Sequence, residues 1–165
     1  MNLELKPIGI VHSPFGEPAG TPIQTVAAAG VTGWVELFEE FAPGLRDLQG
    51  FDRIWLVYWF HRTVPARLVV TPFLDQQDRG IFATRSPCRP NPIGLSCVRL
   101  LGVEGNTLRV SDLDMLDGTP LLDIKPYVPA FDCFETHHIG WLEGKHAGGA
   151  CADARFERLN KEKAS

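Results

Sequence analysis

The chain has 165 residues, of which 44% are hydrophobic and 22% are charged, a balance typical of one folded domain. Its 20 acidic and 16 basic residues give a net charge of −4, which excludes a protein coated with positive charge for nucleic-acid binding. We expect a cytoplasmic protein that does not enter membranes, because no signal-peptide pattern opens the sequence and the longest apolar run, residues 54–60, is far shorter than a membrane span. The four cysteines are far apart in the sequence with no C-x-x-C pair, as in a reduced thiol set.

Short runs rich in β-branched and aromatic residues predict most of the secondary structure. In chain order the predicted strands are residues 8–12, 33–38, 54–61, 67–71, 95–103, 107–113 and 121–127. Gly105-Asn106 predicts a hairpin turn between two of them, and Asp117-Gly118 predicts another turn. Because residues 54–60 are apolar throughout instead of alternating, we expect that strand to be covered on both faces.

Helical patterns are sparse. Residues 41–48 predict one short helix, with Pro43 in its first turn and Gly50 after its end, and residues 152–163 predict a second. Since strands dominate and no glycine-rich nucleotide-binding loop occurs, the sequence predicts a mainly β, single-domain barrel over residues 1–143. Residues 144–165 are then a glycine-containing linker and a short C-terminal tail.

The segment of residues 82–96 contains the least ordinary pattern. Its three prolines fix backbone angles and predict a stiff loop, on which Arg85 and Arg89 can present planar guanidinium groups to a carboxylate or phosphate. Residues 79–99 contain four arginines and no acidic residue, so +4 is concentrated in a chain of net −4. The alternative is that this loop only braces one end of the barrel through surface ion pairs.

A second pattern interleaves aspartates with apolar residues over positions 112–117. It predicts an apolar slot edged by carboxylates, which suits an adenine ring with its ribose or a sulfonium cation; the alternative is a strand end followed by a solvated turn. Asp123 and Lys125 lie two residues apart and are expected on the same face of a strand, where such a pair is more often a surface ion pair.

These motifs together resemble the TsaA-like family, also called TrmO. The resemblance rests on Phe-Ala-Thr-Arg-Ser-Pro and Arg-Pro-Asn-Pro-Ile-Gly in residues 82–94, and on Asp-Gly-Thr-Pro and Asp-Ile-Lys-Pro-Tyr in residues 117–127. It implies an S-adenosylmethionine-dependent tRNA methyltransferase, built on a β-barrel and working as a homodimer. The acceptor in that family is the threonylcarbamoyl-modified adenosine beside the anticodon, which is methylated on its exocyclic nitrogen.

The resemblance also implies roles for individual residues. The expected cofactor-binding residues are Ile23, Gln24, Thr25, Phe60, His61, Arg85, Leu95, Leu113, Asp114, Met115 and Leu116. Substrate contacts are expected from Arg89, Asn91 and Lys125. The expected catalytic residues are Asp123, Lys125 and His61, with Asp123 or His61 as the acceptor of the proton that the methylated nitrogen loses.

Other functions stay open at the level of the sequence. The chain ends soon after the barrel, which favours considering another RNA or a small molecule as the methyl acceptor, and a non-enzymatic cofactor-binding module is a further alternative. His137, His138, His146 and Cys151 fall within fifteen residues, but their spacing is not the paired spacing of zinc ligands, so no metal is predicted.

Overall fold

Six antiparallel strands close into a barrel in the computed structural model, which describes residues 4–146 and 149–153. The strands in chain order are β1 (Gly9–His12), β2 (Thr32–Leu37), β3 (Arg53–Trp59), β4 (Val69–Val70), β5 (Arg79–Gly80), β6 (Ile93–Glu104), β7 (Thr107–Ser111) and β8 (Thr119–Pro126). Around the barrel their order is β1-β2-β7-β6-β3-β8, and β4 pairs with β5 in a separate two-stranded sheet. The mainly β barrel expected from the sequence is therefore confirmed.

The strand β3 shows how the barrel is filled. Ile54, Leu56 and Tyr58 point inward and are buried, whereas the residues between them are only half-buried on the outer face. The expectation that both faces are covered is wrong, because side chains alternate along a strand and the barrel encloses only the inner set. The outer residues of β3 are only partly covered by this chain; Trp55, for example, packs against the edge of Tyr127.

The predicted helix over residues 41–48 is wrong in type. The segment forms two 3-10 turns, Glu39–Leu45 and Leu48–Gly50, and Asp47 between them has a φ of 66°. A left-handed residue cannot continue a right-handed helix, so the turns stay separate. The other short helical elements are the 3-10 turns Thr25–Ala28, Ile81–Ala83 and Gly140–Leu142 and the single-turn helix α1 (Pro129–Asp132).

Both predicted turns are present. Gly105 and Asn106 connect β6 to β7, and Gly118 adopts a positive φ in the turn before β8. The predicted strand at residues 67–71 shortens to the two residues of β4. The two ends of the barrel differ in their connections: one end has the tight β6–β7 turn and the segment 38–52, and the other end has three connections.

The segment after residue 144 is partly described. Ala150 and Ala152 exchange backbone hydrogen bonds with Thr21, Ile23 and Gly20, so this part of the tail lies along the first long loop. The predicted helix at 152–163 falls almost wholly outside the described residues. Within the described part of the chain, no helix has both the length and the apolar character that a membrane crossing needs.

The long segments lie together because of strand direction. Strands β1, β3 and β7 end, and β2, β6 and β8 begin, at the same end of the antiparallel barrel. The connections 13–31, 60–92 and 112–118 therefore all leave from that end. Loops held on a rigid barrel are where ligand sites form.

Candidate cofactor and substrate site

The long connections enclose a cavity of about 1030 Å³ at that end of the barrel. Ten of the residues singled out from the sequence line it: Ile23, Gln24, Phe60, His61, Arg85, Arg89, Leu95, Asp114, Met115 and Leu116. These residues come from four separate stretches of the chain, so the fold does bring most of the predicted site together.

A chain of hydrogen bonds leads from the barrel core to a carboxylate in the cavity. The hydroxyl of Ser96 donates to Oδ1 of Asp114 at 2.6 Å, and the Tyr58 hydroxyl lies 3.1 Å from Ser96 Oγ. Since Ser96 uses its proton on Asp114, the Tyr58 hydroxyl donates to Ser96. Ser96 and Tyr58 are both buried, so Asp114 is held by groups that water does not reach.

Burial sets the proton affinity of this network. It raises the pKa of Asp114 to about 6, although the hydrogen bond from Ser96 and the positive charge of Arg85 act in the opposite direction. Burial and the charge of Asp114 together raise the pKa of Tyr58 well above its usual range, so its proton stays in place. Asp114 is thus the group of this network that changes charge near neutral pH.

Close backbone packing lets Tyr58 reach this position. Gly94 lies opposite Tyr58 in the β3–β6 pairing, and a Cβ at Gly94 would collide with the Tyr58 ring. The ring fills the space that a side chain would need, and its edge packs against Phe60 with the centroids 5.3 Å apart. Phe60 in turn lines the cavity.

The two arginines of the proline-rich loop have different tasks. Arg85 is exposed, lines the cavity, and its Nη1 donates to Oε1 of Gln24 at 2.8 Å. Arg89 donates instead to the backbone oxygens of Ile81 and Thr84, at 3.2 and 2.8 Å. Arg85 is therefore available to a ligand, whereas Arg89 braces the loop through backbone oxygens and not through the surface ion pairs of the alternative interpretation.

His61 follows β3 on the cavity wall. Partial burial and the neighbouring charge of Arg62 lower its pKa, so its imidazole is neutral at physiological pH. The hydroxyl of Thr119 donates to Leu116 O at 2.7 Å, which leaves its oxygen to accept from His61 Nδ1, 3.5 Å away. The other ring nitrogen is then the one that can take up a proton.

Five of the predicted residues lie elsewhere. Thr25 and the exposed Asn91 are not part of the cavity lining, and Leu113 is fully buried in the core. Asp123 and Lys125 form an ion pair at 2.7 Å and stand opposite outward-facing residues of β3, so they share one strand face as predicted but lie outside the cavity. Their catalytic assignment stays a prediction.

Sequence reasoning missed several lining residues, among them Tyr58, Thr119, Phe82 and Trp141. Tyr58 lies within an apolar run and was therefore assigned only to the strand. A buried tyrosine hydroxyl needs a hydrogen-bond partner, and this requirement is the signal that could have pointed to Tyr58. Trp141 carried no local pattern, because its contact is with a residue 58 positions earlier.

The segment around Trp141 closes one wall of the cavity. Trp141 Nε1 donates to the backbone oxygen of Ala83 at 2.7 Å, and Lys145 and Arg79 each lie over its ring. Both cations also bind Asp75, Lys145 at 2.8 Å and Arg79 through two hydrogen bonds. Hydrogen bonds from Lys145 and Arg79 hold the pKa of Asp75 well below its usual range, so it is ionised at any physiological pH.

Replacing Asp75 with alanine is expected to loosen this wall. Without the carboxylate, Lys145 and Arg79 lose their shared partner, and residues 140–146 should become several-fold more sensitive to limited proteolysis. Ligand affinity at the cavity should fall by a similar factor, measured by calorimetry. Glu143→Ala removes an exposed carboxylate from the same segment and is the matched control; equal behaviour of the two variants would contradict the role of Asp75.

The described residues show no metal centre. Across residues 4–146 and 149–153, no three His, Cys, Asp or Glu side chains are grouped closely enough to hold an ion. The polar groups of the cavity are instead arginine, aspartate, histidine and hydroxyl groups set among aromatic and aliphatic walls.

The fold and the cavity together define a class of protein: an antiparallel β-barrel whose end loops form a site for an organic ligand with both charged and aromatic parts. Residues 10–133 match the family of the tRNA-methyltransferase O N-terminal domain, and the chain belongs to that family.

Individual relatives agree with this assignment. A probable S-adenosyl-L-methionine-binding protein of Pyrococcus abyssi is 54% identical over 94% of this chain and 85% of its own length. The tRNA (adenine(37)-N6)-methyltransferase of Mus musculus is 37% identical over 79% of this chain, and the match covers 32% of the mouse protein. The crystal structure of TrmO from Pseudomonas aeruginosa superposes with a TM-score of 0.72 at 38% identity, over 86% of this chain and 63% of that one. The chain therefore spans most of the archaeal relative but only part of the mouse and Pseudomonas proteins.

Proposed function

We propose that this chain transfers the methyl group of S-adenosylmethionine to the exocyclic nitrogen of the threonylcarbamoyl-modified adenosine beside the anticodon of tRNA. As a member of the tRNA-methyltransferase O family it is an S-adenosylmethionine-dependent methyltransferase; the finer proposal concerns its acceptor and the tasks of its residues. The observation that carries it is the convergence of Arg85, Asp114 and Phe60 on one cavity at the end of the family's barrel.

The cavity suits S-adenosylmethionine in size and in chemistry. Its volume of about 1030 Å³ is sufficient for a ligand of this class. Arg85 can hold the methionyl carboxylate, Asp114 can meet the ammonium or sulfonium charge, and Phe60 with the neighbouring apolar residues can pack against adenine. When bound, S-adenosylmethionine supplies an electrophilic methyl carbon, and the protein's task is to align it with the acceptor.

The charge around the cavity supports an anionic acceptor. Four arginines and only two aspartates line it: Arg62, Arg67, Arg85 and Arg89, with Asp78 and Asp114. The lining is thus positive in a chain whose net charge is −4. Positive charge confined to one opening directs a polyanion to that opening and away from the rest of the surface.

His61 is the proton acceptor in this proposal. His61 is neutral at physiological pH and lines the cavity, whereas Asp123 lies outside the cavity. A neutral imidazole can take the proton from the exocyclic nitrogen as the new bond forms. A positioned base of this kind contributes about 100- to 10,000-fold to a rate.

We extend the proposal to a homodimer that acts in the cytoplasm, where its tRNA substrate is found. On the outer face of the β3–β6 pair, next to the cavity, Val57 stands opposite Leu95 and Trp59 opposite Ile93. Leu95 is 51% exposed there, and a second copy of this chain is the cover we propose. Asp123 and Lys125 on the adjoining β8 would then lie at the subunit boundary. A mass of two chains by light scattering is the expected result.

Methyl transfer to defined tRNA tests the acceptor. We expect label from S-adenosylmethionine in tRNA that carries the threonylcarbamoyl group, and little in the same tRNA without it. Nucleoside mass spectrometry locates the methyl group, and binding should weaken steeply with salt because phosphates supply much of the attraction. Salt-independent binding, or equal labelling of both tRNAs, would contradict the acceptor proposed here; turnover with a small molecule alone would replace it. Cofactor binding with no turnover on any acceptor would favour a binding module.

A further inference from the structure

The side chain of Phe82 is 77% exposed although it lies on the lining of the cavity. Nothing in the described chain packs over the outer part of the ring. An exposed aromatic ring beside a ligand cavity is therefore a candidate contact surface.

The backbone that carries this ring is held firmly. Phe82 lies in the 3-10 turn Ile81–Ala83, and Ile81 next to it is 1% exposed and donates its N–H to Leu68 O at 2.9 Å. Thr84, the first residue after the turn, donates two hydrogen bonds to Ile81 O, from its N–H at 3.1 Å and from its hydroxyl at 2.9 Å. Few degrees of freedom remain to be lost when a partner meets the ring.

Long-range contacts brace the same turn from two sides. Arg89 donates to the backbone oxygens of Ile81 and Thr84, and Trp141 donates to that of Ala83. The guanidinium carbon of Arg89 also lies 5.9 Å from the centroid of the Phe82 ring. The backbone that carries the ring is thus held in place, and the ring is exposed next to the positive charge of Arg89.

We propose that Phe82 is an RNA-contacting residue, on whose ring a nucleobase next to the methylated adenosine stacks. A nucleobase offers a flat π face to the ring and a phosphate to the nearby arginines, a combination used to hold single-stranded nucleic acid. A purely apolar partner would meet the ring but leave the adjoining arginines without an anion. This inference rests on the proposed function, and it assigns Phe82, at the exposed part of the cavity lining, to the RNA and not to S-adenosylmethionine.

Three variants test it: Phe82→Ala, Phe82→Trp, which keeps a stacking surface, and Phe134→Ala. Phe134 is 76% exposed and does not line the cavity, so it is the matched control for loss of an exposed ring. Stacking of one base is worth about 1–3 kcal/mol, so Phe82→Ala should raise the KM for tRNA and its Kd by about 5- to 150-fold. Affinity for S-adenosylmethionine should stay within twofold, and Phe82→Trp and Phe134→Ala should behave as the parent protein.

The other outcomes overturn the inference in distinguishable ways. An unchanged KM and Kd for tRNA in Phe82→Ala, while the parent protein methylates tRNA, removes Phe82 from the RNA contact and leaves the proposed function intact. A loss of S-adenosylmethionine affinity in Phe82→Ala assigns the ring to the cofactor site, and a changed molecular mass in solution assigns it to a subunit interface. A parent protein that neither binds nor methylates tRNA overturns the inference together with the proposed function.

Discussion

Replacing Arg85 with alanine is expected to weaken S-adenosylmethionine binding by at least about 100-fold. Arg85 is the exposed guanidinium on the cavity wall, oriented by Gln24, and each charge-assisted hydrogen bond that it makes to a ligand carboxylate is worth about 1.5–3 kcal/mol. Its positive charge also favours the ionised form of Asp114, so its removal raises the pKa of that carboxyl further. The two effects weaken binding of the zwitterionic end of the ligand together.

Calorimetry with S-adenosylmethionine measures this loss directly. Arg46→Ala removes another exposed arginine that does not line the cavity, and its affinity should equal that of the parent protein. Arg85→Lys keeps the charge but not the planar fork, so it should bind with intermediate affinity. If Arg85→Ala binds as tightly as Arg46→Ala, the carboxylate of the ligand is held elsewhere.

The barrel was predictable because its strands obey local rules. Alternating side chains, the Gly105-Asn106 hairpin and the turn at Gly118 each act over a few residues, and all three are visible in the sequence. The type of the turns around Pro43 was not predictable, because it depends on the left-handed backbone of Asp47.

The site could be predicted only in part, because cross-strand register decides which residues meet. Tyr58, Ser96 and Asp114 are far apart in the sequence, and they meet because β3 pairs with β6 so that Tyr58 stands opposite Gly94. One residue of slip would turn Tyr58 away from the cavity.

The same limit applies to the two arginines of the proline-rich loop. Arg85 and Arg89 have equal chemistry and similar sequence surroundings, yet one lines the cavity with its cation exposed and the other binds two backbone oxygens. The difference arises from the turn Ile81–Ala83, whose carbonyl groups need donors once it is folded.

Replacing Asp114 with asparagine is expected to stabilise the protein at neutral pH while removing most of its affinity for S-adenosylmethionine. In the folded chain the pKa of Asp114 is about 6, whereas an ordinary aspartate, as in the unfolded chain, has a pKa of 3.8. Between these values the folded state binds more protons than the unfolded state, so stability falls as the pH rises through this window. Above this window, the ionised carboxylate lowers the free energy of unfolding by on the order of 2–3 kcal/mol. Asparagine carries no charge and avoids this cost.

Thermal unfolding at pH 7.5 and at pH 3.5 measures the first effect. Asp114→Asn should unfold at a higher temperature than the parent at pH 7.5, and the difference should be nearly lost at pH 3.5, where Asp114 is protonated in the folded state and mostly protonated in the unfolded state. Asp47→Asn is the matched control: Asp47 is exposed and has a left-handed backbone that asparagine tolerates, so this variant should unfold at about the temperature of the parent at pH 7.5.

Ligand binding should move in the opposite direction. The affinity of the parent protein for S-adenosylmethionine should fall as the pH is lowered through about 6, because protonation of Asp114 removes the negative charge that meets the cationic part of the ligand. Asp114→Asn should bind weakly at every pH, without that transition, since it carries no titrating group at this position. A variant that is both less stable and equally able to bind would show that the carboxylate serves the fold, whereas gain of stability with loss of binding is the signature of a charge kept buried for its ligand.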